Sequence, residues 1–283
     1  MNAGAVTAVT AAWTRAWTRV DWAKWERPLL VGNIVAGILA VIVMVVGSNG
    51  FGWDARAYWQ IDAFHPYPVR DYGASGAFFY SPAVALIAAP FRLLPWEVFL
   101  GLMLVADVLA LAWLVGWRWT GYAILLPPVM NELIGANIDL PLTVAMVVGL
   151  AYPALWASIL LTKVSPGVAL LWFAARREWR ALVIALGTTA VIAAISFVIA
   201  PQAWFDWISI LADNAARPAS ELAFPVPLVI RLPLAALLAL YAGRTNRPWL
   251  VPIAALLGFA VIWRPHYVVL LGSIAIWRRS RGV

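Results

Sequence analysis

The chain contains no cysteine, and only Lys24 and Lys163 among its 20 basic residues are lysines. Without thiols there is no disulfide and no thiolate metal site, which suits either side of a bacterial inner membrane. Charge is scarce too. Charged residues make up 12% of the sequence against 64% hydrophobic ones, with a mean hydropathy of +0.86, and such a chain cannot be arranged around one water-soluble core. The apolar runs also lack alternation and are too long for barrel strands. In lipid every backbone amide must find a partner inside its own segment, so the spans are expected to be helices. The fold class is therefore all-α, a polytopic integral membrane protein. The formal charge of +7 sits in short clusters between apolar runs, where it sets topology. No basic face is left to form a nucleic-acid groove.

Residues 1–27 carry Arg15, Arg19, Lys24 and Arg27 beside Trp13, Trp17, Trp22 and Trp25, with Ala-Trp-Thr-Arg in tandem at 12–19. This composition predicts an interfacial segment, tryptophans at headgroup level and cations against anionic lipid. The apolar run that follows, 28–46, is long enough to span, so a cleaved signal peptide is not expected. Residues 28–283 then read as a single transmembrane domain. Further apolar runs fall near 81–94, 97–116, 120–134, 136–152, 154–174, 180–200, 223–242, 248–263 and 266–277. With about ten crossings and both termini cytoplasmic, the clusters Arg176-Arg177-Arg180, Arg244-Arg247 and Arg278-Arg279-Arg281 fall inside. The polar intervals 50–80 and 201–222 become extracytoplasmic loops. In the second, Trp204, Phe205, Trp207, Ile208 and Leu211 form an amphipathic pattern that predicts a helix on the outer surface.

The interval 120–152 has two readings. Pro127-Pro128 and the polar run Asn131, Glu132, Gly135, Asn137, Asp139 suit a re-entrant pair of half-helices lining a cavity, or a cytoplasmic hairpin turn.

The most informative stretch is Trp53-Asp54-Ala55-Arg56-Ala57-Tyr58-Trp59, where charge follows directly on the first span. Asp54 lies close enough to that helix end for burial to raise its pKa toward that of a general base. Asp62, Asp71 and His65, further along the loop, read as solvated residues. The other histidine, His266, sits in Trp263-Arg264-Pro265-His266-Tyr267, which the topology places at the same outer face as Asp54. Lys163 lies inside an apolar segment. It either binds an anion or pairs internally with Asp139 or Glu132.

The order of motifs resembles the GT-C glycosyltransferases that use polyprenyl-phosphate sugars, above all the bacterial α-1,2-mannosyltransferases acting on phosphatidylinositol mannosides and lipoglycans. The resemblance rests on Asp54-Ala55-Arg56-Ala57-Tyr58-Trp59, then Phe79-Tyr80-Ser81-Pro82-Ala83, with Pro90 and Leu94-Pro95-Trp96 after it. It continues through Gly135-Ala136-Asn137-Ile138-Asp139 in the place of a Gly-Gln-x-Asn signature, Leu161-Thr162-Lys163-Val164-Ser165-Pro166 like a Lys-x-x-Pro helix, and His266-Tyr267. It covers roughly residues 28–280. Ala136 replaces the glutamine of that signature, and the chain is shorter than typical members.

The resemblance implies an outward-facing cavity, a lipid-linked sugar as donor and a carboxylate base, matched by Asp54, that activates a glycolipid or lipoglycan hydroxyl for inverting displacement from phosphate. No cofactor and no metal is implied, the donor being a substrate. The departing phosphate needs cations or donors, for which Arg56, Arg264 and His266 at the rim, and Lys163 and Arg231 deeper, are the candidates. The aromatic composition near the site, Tyr58, Trp59 and Tyr80, permits stacking on sugar rings, as it does an interfacial aromatic belt. Mannose and a plasma-membrane location come from the family alone. A transporter or lipid flippase also places charge in broken spans, and remains the alternative class.

Overall fold

The computed structural model describes residues 22–47, 50–70, 74, 76–215 and 224–281. The tandem repeat at 12–19, Asp71 with Tyr72, and the stretch 216–222 of the second loop lie outside the described residues. Helix accounts for 79% of the structure and no strand occurs among the described residues, so the all-α class holds.

The helices are α1 (Trp22–Gly47), α2 (Trp53–Trp59), α3 (Pro82–Ala88), α4 (Trp96–Val115), α5 (Thr120–Ile124), α6 (Pro127–Gly135) and α7 (Asp139–Gly149). They continue as α8 (Trp156–Thr162), α9 (Leu171–Ala175), α10 (Trp179–Ile199), α11 (Pro201–Ala215), α12 (Leu228–Arg244), α13 (Val251–Gly258) and α14 (Leu270–Ser280). Among the described residues three helices are long and apolar enough to cross a membrane: Lys24–Gly47, Trp96–Val115 and Trp179–Ile199. The pair α6 and α7, bent by 111°, makes a fourth if counted as one span. The sequence leads to an expectation of about ten crossings, several of them short. The remaining apolar runs fold instead into shorter pieces, including Pro82–Leu93, Pro153–Thr162, Ser165–Ala175 and Pro248–Gly258. Proline opens several of these pieces, at the first helical turn where its missing N–H costs nothing.

Small residues let the shorter helices approach closely. Ala235, Ala239 and Ala242 on one face of α12 are fully buried, and at Gly243 an added Cβ would meet the Cβ of Ala175 at 2.6 Å. Around them Trp156, Trp172, Phe173, Leu250 and Val251 form the largest apolar cluster. The first long helix docks through a polar residue. Asn33 accepts from the Gly121 amide at 2.7 Å and donates to the Trp117 carbonyl at 3.2 Å, so its amide is paired within the apolar surroundings.

The loop after α2 packs as an aromatic cap. Tyr67 donates to the Tyr80 carbonyl at 2.8 Å and Trp59 to the Leu94 carbonyl at 2.9 Å. The amphipathic helix expected in the second loop is present as α11, with Ala203, Trp207 and Ile210 buried and Phe205 and Ile208 exposed. It lies on the first loop: Trp207 donates to the Phe79 carbonyl at 2.9 Å, and Arg70 pairs with Asp213 at 3.4 Å. The two intervals expected on one face of the membrane therefore meet.

Candidate active site

A cavity of about 790 Å³ opens where α2, the bend between α6 and α7, the end of α8 and the segment 259–266 converge. Asp54, Tyr58, Tyr80, Lys163, Arg264 and His266 all line it. Residues more than two hundred positions apart are thereby gathered around one space.

Asp54 stands in the first turn of α2, and α2 is tied to α6 by the Gly52 amide, which donates to the Ile134 carbonyl at 2.7 Å. The carboxylate presses against the backbone at Gly135, where a Cβ would sit 2.9 Å from Asp54 Oδ2. Burial, and next the negative charge of Asp139, push the Asp54 carboxyl up to about 6, against the opposing pull of Lys163 and a hydrogen bond from Trp53. A carboxyl with that pKa is largely ionised near neutrality yet more basic than a solvated aspartate.

On the same wall Tyr58 donates to Asn137 Oδ1 at 2.7 Å and lies 3.0 Å from the Tyr80 hydroxyl. Its only proton goes to Asn137, so Tyr80 is the donor between the two phenols. The rings are stacked, with centroids 5.7 Å apart. Asn137 also accepts from the Ile138 amide at 2.9 Å, holding the α6–α7 bend against this wall.

Asp139 is the hub of the cavity floor. One carboxylate oxygen takes the ion pair with Lys163, and the other faces His266 Nε2 at 3.5 Å. The Trp263 amide donates to His266 Nδ1 at 3.1 Å, so the ring proton resides on Nε2, toward Asp139. Phe259 supports both partners: the imidazole stacks on it with centroids 4.9 Å apart, and Lys163 Nζ lies 4.7 Å above its ring. Lys163 thus makes the internal ion pair and faces the cavity as well. It can do both because α8 ends at Thr162 and Lys163 takes an extended conformation, φ −138°, which points it out of the helix.

Two expected contacts lie elsewhere. Arg56 does not line the cavity; its guanidinium sits 4.6 Å over the Trp96 ring. Two positions along a helix is a rotation of about 200°, which turns Arg56 away from the face shared by Asp54, Ala57 and Tyr58. Arg231, expected as a deep phosphate ligand, is buried and points to backbone carbonyls: Val226 at 2.7 Å, Leu257 at 2.8 Å, Phe259 at 2.7 Å and Ala260 at 3.0 Å. It holds the segment that carries Phe259, Arg264 and His266. Trp59, an expected ring platform, donates to Leu94 and packs on Trp96 outside the cavity lining. Asp62 and His65 remain exposed loop residues, Asp62 accepting from the Phe64 amide at 2.9 Å.

The bend between α6 and α7 is buried against the cavity rather than a turn in solvent, and at 111° it is a broken span or a re-entrant loop. Glu132, fully buried on α6, accepts from the Asp139 and Leu140 amides at 2.6 and 3.2 Å and so caps the start of α7. Asn137 and Phe259 had no role assigned from sequence. Asn137 belonged to a polar run that signalled function without saying which, and nothing distinguishes Phe259 from other apolar-run aromatics.

The model of Glycosyltransferase family 87 matches residues 78–281, most of the chain, and the chain belongs to that family, which is of GT-C type and includes mycobacterial mannosyltransferases. No curated protein and no solved structure matches it.

Proposed function

As a family 87 glycosyltransferase of the membrane, the chain, we propose, moves a sugar from a polyprenyl-phosphate donor to a glycolipid or lipoglycan hydroxyl, with inversion. The supporting observation is the placement of Asp54, a carboxyl with pKa of about 6, across one cavity from Lys163, Arg264 and His266. Asp54 takes the proton of the acceptor hydroxyl as its oxygen attacks the anomeric carbon. The bond from that carbon to the phosphate oxygen breaks, and its electron pair leaves with polyprenyl phosphate. Arg264, exposed at the rim, and Lys163 on the floor meet the developing charge, and His266 donates from Nε2. Phosphate leaves readily, so the reaction is proposed to need no metal or cofactor.

The apolar runs that fold as shorter helices also cross the bilayer, singly or as broken pairs, for about ten passages in all, with the arginine clusters 176–180, 244–247 and 278–281 in the cytoplasm and the cavity on the extracytoplasmic side of the plasma membrane. Mannose is the proposed sugar.

The test is transfer from polyprenyl-phosphate-mannose to a glycolipid by purified protein in liposomes. Asp54→Asn is expected to insert normally and to lose at least about 10²-fold in rate, the contribution of a general base. Unchanged transfer by that variant removes Asp54 from the reaction.

A further inference from the structure

At the end of α4 away from the catalytic cavity the structure has a second concavity, of about 370 Å³, lined by Gly116, Trp117, Arg118, Trp119 and Arg278. A helix of 20 residues rises about 30 Å, so the two cavities lie at opposite ends of α4, about the thickness of a bilayer core apart. Three helix ends meet here. α4 closes at Gly116, α14 runs out through Arg278 and Arg279, and α1 begins beside them, held by the Arg118–Glu26 ion pair and by Tyr122 donating to the Leu29 carbonyl at 3.2 Å.

The arginines here are arranged differently from those elsewhere on the same face. Arg176 is consumed internally, donating to Glu178 and to Asn246, each at 2.6 Å. Arg278 has no carboxylate or hydrogen-bond acceptor among the described residues. At Gly116, φ +87°, a Cβ would lie 2.7 Å from both terminal nitrogens of Arg278, so the fork rests in the space a side chain would fill. Arg279 lies 3.5 Å over Trp113 and Arg281 4.7 Å over Trp277, also without carboxylate partners among the described residues. Of the four guanidiniums at these helix ends, only that of Arg118 is paired with a carboxylate, Glu26, among the described residues. Trp117 and Trp119 are exposed at the rim, and on α4 Val105, Leu109 and Trp113 present an exposed apolar strip leading away from it.

We propose that this concavity binds the headgroup of one anionic phospholipid of the leaflet opposite the catalytic cavity. The phosphate sits against Arg278 and Arg118, the tryptophans lie at headgroup depth, and the acyl chains run along α4. An unpaired, preset fork matches a phosphate bidentately. The adjoining apolar strip selects a lipid over a soluble anion. The inference does not rest on the transfer reaction.

Native mass spectrometry of the full chain, released from micelles containing phosphatidylglycerol or phosphatidylcholine, tests it. Wild type is expected to retain one phosphatidylglycerol and to release phosphatidylcholine. Arg278→Gln is expected to weaken that retention about five- to tenfold, the effect of one arginine at an anionic surface, and Arg278→Lys to fall between the two. Arg244→Gln, which removes an equal charge from the end of α12, should leave retention unchanged. Equal weakening by Arg244→Gln and Arg278→Gln reduces the effect to general surface charge and overturns the site. So does full retention by Arg278→Gln. Competition by soluble glycerol phosphate at equal concentration would show that a free anion suffices, and overturns the lipid assignment.

Discussion

The cavity is built around two broken helices that solve the same problem with opposite chemistry. Between α6 and α7 the loose groups are amides at the start of a helix, and a carboxylate, Glu132, accepts from two of them. Between α13 and the segment 259–266 the loose groups are carbonyls at the end of a helix, and a guanidinium, Arg231, donates to three of them, Leu257, Phe259 and Ala260, besides the Val226 carbonyl just before α12. Each supplies what its helix end lacks, an acceptor for the amides and donors for the carbonyls. The lesson concerns economy of role: an ionisable residue deep in this protein serves either the backbone or the substrate, and its sequence neighbourhood does not say which. Asp139, three residues past the bend apex at Ala136, pairs with the cavity cations, whereas Glu132 on the other arm accepts hydrogen bonds from backbone amides.

The asymmetry of the two breaks sets the order of expected effects. Arg231→Met strands four carbonyls at once and is expected to lower stability by about 3 kcal/mol or more, seen as a reduced unfolding temperature and faster amide exchange across 257–266. Exchange confined to some other segment would contradict its positioning role. Glu132→Ala exposes two amides and is expected to cost about 1–3 kcal/mol. Glu132→Gln keeps an acceptor oxygen and should recover most of that, a rescue with no counterpart at position 231, where lysine cannot span four carbonyls. Gly135→Ala leaves both breaks capped but forces Asp54 Oδ2 from a 2.9 Å approach; transfer is expected to fall about tenfold, as misplacement of a reacting group does, with stability little changed. The smallest effect is a shift in pH dependence. Asp54 acts as a base only when ionised, so kcat/KM should decline as pH falls through about 6. Asp139→Asn removes a charge that raises the Asp54 pKa and frees Lys163, which lowers it, so the midpoint should move to lower pH in that variant's residual activity.

Composition was enough for an all-helical membrane protein, since apolarity is a property of the whole chain. The number of long spans was less legible, because hydropathy adds residues without regard to direction while Pro128, Pro153, Pro166 and Pro252 redirect the chain within apolar runs. Asp54 stood out because a charge at a span end is costly unless used. The orientation of Arg56 was available from helical spacing alone: positions 54, 57 and 58 share a face and 56 does not. Arg231 was unreadable, for three of the four carbonyls it serves come from 26 to 29 residues later in the chain and become neighbours only on folding.

Glycine at 135 fixes how closely the acid can approach the bend. A methyl carbon at 135 would stand 2.9 Å from Oδ2 of Asp54 and 3.1 Å from the Trp53 ring nitrogen, so either the acid or the indole would have to move. The working position of the acid is in this sense written into the chain as an atom left out.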